Sequence, residues 1–184
     1  MDNLNIHIHA PLIEECKKGD SYAQFRLYNQ YSKAMYNLAY RMMNNREEAE
    51  DMLQEAFIDC FRNLKSFRFD STFGAWLKKI VINKCLNQLK KKKIDLTLCE
   101  TLPVNVYEEE EEDVVYDNSK IFKCIEMLPD GYRVILTLYL LEGYDHSEIA
   151  GILDITESTS KSQYSRAKEK LRNLLLKNQY HEQA

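Results

Sequence analysis

Residues 145–172 read DHSEIAGILDITESTSKSQYSRAKEKLR, and this stretch decides the fold of the C-terminal half. Asp145 with Glu148 three residues later forms a capping box, each side chain satisfying a backbone N–H left unpaired at a helix start. It opens a helix predicted over Ser147 to Leu153. Asp154-Ile155-Thr156 makes a short turn, Asp being able to adopt left-handed geometry. A final helix then runs from Glu157 or Ser158 to Leu176. Two helices joined by so short a turn, the second long and basic, fit a helix-turn-helix. Ile149, Ala150, Leu153 and Ile155 supply its small interior. The final helix carries Lys161, Arg166, Lys168, Lys170 and Arg172 against Glu169. Taken alone, the pattern fits duplex-DNA binding and the plain packing of two helices equally well.

Upstream, Ile121, Ile125 and Leu128 mark a helix stopped by Pro129-Asp130-Gly131. Val134, Leu138 and Leu141 mark another, closed by Gly143. The N-terminal half is also helical. A short helix, Leu12 to Lys18, ends at Gly19, and Asp20 or Ser21 caps the next. Tyr28, Tyr31, Met35, Leu38 and Met42 recur at helical spacing. Asn45 caps a helix whose first turns hold Glu47, Glu48, Glu50 and Asp51, as suits the positive end of the helix dipole. Its buried stripe is Met52, Leu53, Ala56, Phe57, Cys60, Phe61 and Leu64. After the loop Ser66 to Thr72, a third long helix begins near Phe73, buries Trp76, Leu77, Ile80, Val81 and Leu89, and ends in the run Lys90 to Lys93.

Composition agrees. Five Gly and three Pro in 184 residues are too few for an all-β sandwich, which turns every 8–12 residues or so. A hydrophobic content of 45% excludes wholesale disorder. No apolar run approaches the roughly 18 residues of a membrane span, and the N-terminus has no signal-peptide core, so the chain is expected to be cytoplasmic. Cys16, Cys60, Cys85, Cys99 and Cys124 lack metal-ligand or C-x-x-C spacing and read as buried thiols of a reducing compartment. His7, His9, His146 and His181 are scattered. Neither a metal nor a cofactor is expected, and no nucleophile–base pair or phosphate-binding glycine loop suggests an enzyme.

Charge divides the chain. Residues 1–94 carry 16 Lys/Arg against 11 Asp/Glu, residues 95–120 one Lys against nine acids, and residues 121–184 eight against nine. The acidic run Glu108 to Asp113 repels itself and stays solvated. The expected organisation is therefore all-α, with two small helical domains, 1–94 and 118–184, joined by an acidic flexible linker at 95–117.

Several motifs in this order resemble bacterial sigma factors. Ala49-Glu50-Asp51-Met52-Leu53-Gln54-Glu55-Ala56-Phe57 and Phe73-Gly74-Ala75-Trp76-Leu77-Lys78-Lys79-Ile80 with Asn83 are similar to region two. Leu128-Pro129 to Arg133, Glu148-Ile149-Ala150 and Ser165-Arg166-Ala167-Lys168 to Leu171-Arg172 resemble region four. The resemblance spans about residues 12–176, and the length matches the compact extracytoplasmic-function (ECF) group.

The resemblance implies a promoter-specificity subunit whose partners are core RNA polymerase and promoter DNA, both as duplex and as non-template single strand. It allows an anti-sigma factor, which no residue identifies. Asp51, Gln54 and Glu55 become polymerase contacts, and Phe57 serves either that interface or the core. The loop Arg68, Asp70, Ser71 and Thr72 would hold a base flipped from the minus-ten element, with Phe67 or Phe69 closing the local core. Lys78, Lys79, Asn83, Asn87 and Lys90 would face minus-ten phosphates and bases. Trp76 is core or a melting wedge. Thr159, Lys161, Ser162, Gln163 and Arg166 would meet the minus-thirty-five duplex, Gln suiting adenine and Lys or Arg guanine or phosphate. The chain departs from the family pattern at Ile82 (commonly Arg), Asn87 (Asp), Asp154 (Gly), Ser160 (apolar), Gln163 (Arg) and Tyr164 (Leu). A free-standing helix-turn-helix regulator and a helical interaction adaptor are the competing readings.

Overall fold

Caps set the helix boundaries. In the computed structural model, which describes residues 8–92 and 118–182, α1 (Ala10–Lys17) ends at Gly19, whose φ of +90° only glycine adopts freely. Asp20 then caps α2 (Ser21–Met43), its Oδ1 accepting from the backbone N–H of Tyr22 at 2.8 Å and of Ala23 at 3.0 Å. Asn44 turns left-handed, and Asn45 caps α3 (Arg46–Asn63) by accepting from Glu48 N at 3.0 Å. A 3₁₀ turn, Leu64–Ser66, leads into a loop that Thr72 closes. Its Oγ1 accepts from Ala75 N at 3.2 Å at the start of α4 (Phe73–Lys91).

The chain divides into two compact units, the break falling after Lys92. In the first, α2, α3 and α4 pack on one another and α1 lies on α2. Leu27, Leu38, Met42, Leu64, Leu77, Ile82 and Leu89 are fully buried, each contributing about 1.5–3 kcal/mol by leaving water. The buried face of α4 differs from the expected one. Trp76 and Ile80 are half-buried, and Phe73, Ile82, Cys85 and Leu86 join Leu77, Val81 and Leu89 inside. Phe61 on α3 is likewise half-buried. Gly74 permits the close approach of α4 to α2, since a Cβ there would lie 3.2 Å from Tyr31 Cε1.

The second unit contains α5 (Asn118–Glu126) and α6 (Asp130–Leu136), which continues as a π-helical segment over Thr137–Leu141, then α7 (His146–Leu153) and α8 (Glu157–Glu182). Pro129 sits at the N-cap of α6, so Pro129-Asp130-Gly131 starts a helix as well as ending one. Arg133 is only 3% exposed; it donates to the Leu128 carbonyl at 2.9 Å and pairs with Asp130, which offsets the cost of burying its charge. The capping box is formed, Glu148 N to Asp145 Oδ1 at 2.8 Å and Asp145 N to Glu148 Oε2 at 2.9 Å. Asp154 takes φ +58° in the turn before α8. No helix among the described residues is long and apolar enough to cross a membrane. The acidic stretch 95–117, Cys99 and His7 lie outside the described residues.

Candidate nucleic-acid interface

The loop between Ser66 and Phe73 has a buried base and an exposed rim. Phe67, 4% exposed, packs its ring against Trp76 at 5.2 Å, Phe73 at 5.8 Å and Phe69 at 4.8 Å between centroids. Phe69 is half-buried with φ +63°, a strained conformation for a bulky residue. Arg68, Asp70, Ser71 and Thr72 are exposed, although Thr72 already caps α4. Adjoining the loop, Lys79, Asn83 and Asn87 follow one another at four-residue intervals on the exposed face of α4. Lys90 is exposed one turn on, and Lys78 is half-buried. Cations and amides on one helix face can meet phosphates and base edges together.

On α3, Asp51, Gln54 and Glu55 are exposed. Phe57 is 3% exposed and its ring packs tilted against Tyr28 at 4.7 Å, so its ring is core and the reading of it as a polymerase contact is corrected. Ile58, 49% exposed, lies on the same helix face as Asp51, Gln54 and Glu55. It stands seven residues after Asp51 and four after Gln54, the spacing of one helix face. Glu55 meets Lys84 of α4 at 3.3 Å, and Lys84 also meets Asp59 at 2.7 Å. The hydrogen bond to Asp59 leads in lifting the Lys84 pKa above its ordinary value.

On α8, Lys161 and Ser162 are exposed, while Thr159 and Arg166 are half-buried. Thr156 Oγ1 accepts from Thr159 N at 3.0 Å and lies 2.8 Å from Thr159 Oγ1, engaging that hydroxyl in the helix start. Ser162 Oγ donates to the Thr159 carbonyl at 3.0 Å. Lys161 pairs with Glu157 at 2.7 Å, a hydrogen bond that raises its pKa. Gln163 is 4% exposed, so it is buried within the second unit and is corrected as a base-reading residue.

The departures at Ser160 and Tyr164 have a common cause. Ser160 is fully buried because His146 supplies a partner, Nδ1 to Oγ at 2.9 Å across the α7–α8 contact. The His146 ring stacks on Tyr139 at 4.6 Å, and Tyr139 meets Tyr164 at 4.3 Å. Burial raises the Tyr164 pKa, with Tyr139 adding to it. Nothing in the spacing of four scattered histidines signalled this contact, which joins residues from three elements.

Among the described residues, Cys16, Cys60, Cys85 and Cys124 are buried free thiols. Burial pushes Cys60 and Cys85 up to about 12 and, with nearby Asp20 and Glu15, Cys16 up to about 11.

Comparison with known proteins assigns both units. The Sigma-70 region 2 model matches residues 27–94, and the Sigma-70 region 4 model matches residues 119–171. The chain is 32% identical over 176 residues to the ECF RNA polymerase sigma factor SigW of Bacillus subtilis, covering 89% of this chain and 94% of that one. It is 32% identical over 180 residues to the ECF RNA polymerase sigma-E factor of Escherichia coli, covering 88% and 91%. Its fold is that of the sigma factor RpoE of Bartonella quintana, solved with the anti-sigma factor NepR (TM-score 0.57, 23% identity, 82% and 94% covered). CnrH, solved with the cytosolic domain of CnrY, has the same fold (TM-score 0.53, 20% identity, 89% and 94% covered). With both regions matched in order and relatives aligned along nearly their whole length, the chain belongs to the ECF RNA polymerase sigma factors of the sigma-70 family.

Proposed function

We propose that this sigma factor acts as a dissociable, non-enzymatic specificity subunit in the cytoplasm, with its labour divided between residues 1–94 and 118–184. The exposed rim of Arg68, Asp70, Ser71 and Thr72 around a buried aromatic base is the observation that carries this reading. Such a rim can take an extruded base of the minus-ten strand while Phe67 keeps the loop anchored. Lys78, Lys79, Asn83, Asn87 and Lys90 then follow the strand along α4, and Asp51, Gln54 and Glu55, with Ile58 beside them, take core RNA polymerase on α3. Thr159, Lys161, Ser162 and Arg166 meet the minus-thirty-five duplex. An anti-sigma factor is proposed as a further partner because RpoE of Bartonella quintana was solved with one.

Reconstituted transcription with core polymerase and mapped start sites tests the whole. Initiation that is no more promoter-specific with the chain than without it would overturn the proposal. The division of labour has its own check. A fragment of residues 118–184 is expected to unfold cooperatively by itself, and a featureless melt would refute it.

Duplex contacts are checked by salt. Neutralising one phosphate-contacting cation lowers the slope of log Kobs against log salt by about 0.9 on duplex DNA. Lys161→Ala is expected to show that decrement on minus-thirty-five duplex, because the exposed pair with Glu157 is too weak to withdraw the ammonium from DNA. An unchanged slope would remove Lys161 from the interface.

A further inference from the structure

Lys17 belongs to none of the motifs that marked the site, yet its side chain bonds the backbone of the minus-ten loop. From the last turn of α1, its Nζ donates to the Phe67 carbonyl at 2.9 Å, fifty residues away in sequence. The same Nζ lies 4.6 Å from the centroid of the Phe69 ring and 2.9 Å from Glu14 Oε1. Its side chain is 17% exposed. The loop it holds contains the strained step, Phe69 at φ +63°. A bulky residue keeps such a conformation only where its surroundings over-determine it. Lys17 grips the chain on both sides of Arg68, by the carbonyl before it and the ring after it.

We infer that Lys17 is a positioning residue for minus-ten base capture, fixing the Phe67–Phe69 backbone so that Arg68 and Asp70 stand where an extruded base arrives. The inference rests on the assignment of this loop to base capture. It predicts an effect on promoter opening from a residue with no DNA contact of its own. A lysine that only stabilised the fold would act on everything the first unit does.

The test uses the full chain with Lys17→Met, which keeps the stem and loses the donors and charge, and Lys17→Arg, which keeps both. Trp76 is the only tryptophan and packs on Phe67, so its emission reports loop packing without DNA. K17M is expected to red-shift that emission and slow promoter opening about tenfold, the scale of one hydrogen bond to a charged group. It should also flatten the base preference at the captured position and leave core-polymerase affinity unchanged, the thermal midpoint falling only by what the lost hydrogen bond contributes. K17R should restore opening and preference. If opening and preference hold in K17M while Asp70→Ala changes them, the inference is wrong and base capture stands. If Asp70→Ala and Ser71→Ala also leave opening unchanged, base capture itself falls and takes the inference with it. A fall in core-polymerase affinity in step with opening would make Lys17 merely structural. Should K17M fail to fold, Lys17→Gln, which keeps a donor without the charge, is judged by the same criteria.

Discussion

Alanine at Arg68, Asp70 and Ser71, with serine in place of Thr72, is expected to slow promoter opening by roughly 5- to 150-fold while core-polymerase affinity holds. The range follows from the roughly 1–3 kcal/mol that one stacked or captured base contributes. Serine is the right replacement at Thr72 because its hydroxyl can still accept from Ala75 N, whereas alanine would cost about 1 kcal/mol of helix cap and blur the result. Polymerase affinity holds because Asp51, Gln54 and Glu55, on α3, carry it in the proposed division. A template already unpaired at the minus-ten element separates the two ways the rim can act. Losses that vanish there place its work in melting, and losses that persist with altered base preference place it in reading. If thermal stability and polymerase binding fall together with opening, the rim is structural and the assignment is lost.

The second large effect is alkaline. Cys60 and Cys85 have thiols raised from the ordinary 9.0 to about 12 because burial disfavours the thiolate. Between those values the unfolded chain releases protons that the folded chain keeps. Stability is therefore whole below pH 9 and falls as pH rises. Each thiol contributes about 1.4 kcal/mol per pH unit, so the two together remove roughly 2.7 kcal/mol per unit. Urea unfolding at several pH values above neutrality measures the slope, and a Cys60→Ala, Cys85→Ala variant supplies the reference, since tyrosines and lysines titrate in both. The variant begins less stable, because two buried groups have been cut back, but its stability should fall less steeply by that amount. Equal slopes would mean that the thiols ionise freely in the folded protein.

Local chemistry was legible in the sequence. Asp20, Asn45 and Asp145 act on backbone N–H groups two or three residues away, so a cap can be read from one strand of text. Most of the stripe on α3 was legible too, because its other face is polar apart from Ile58, and only Phe61 proved half-buried. On α4 the periodicity misled. Trp76, Ile80 and Ile82 are all apolar, and only contact with α2 and α3 decides that Ile82 is buried while the other two are half-buried. Gln163 failed differently. Hydrophobic pattern assigns a polar residue to the surface, and tertiary packing put this one inside. Lys17 and His146 were invisible for the same reason, since their partners lie 50 and 14 residues away.

The seam between Tyr139, His146, Ser160 and Tyr164 sets the smallest cassette for retargeting this protein. A chimaera that swaps in only a relative's helix from residue 157 onward would bring an apolar side chain to position 160. It would take from the half-buried His146 nitrogen its Ser160 partner and place an apolar side chain beside it. It would also leave Tyr139 facing whatever replaces Tyr164. Donor and host should therefore be joined upstream of Tyr139, so that the graft carries residues 139–172 and both sides of the seam come from one parent.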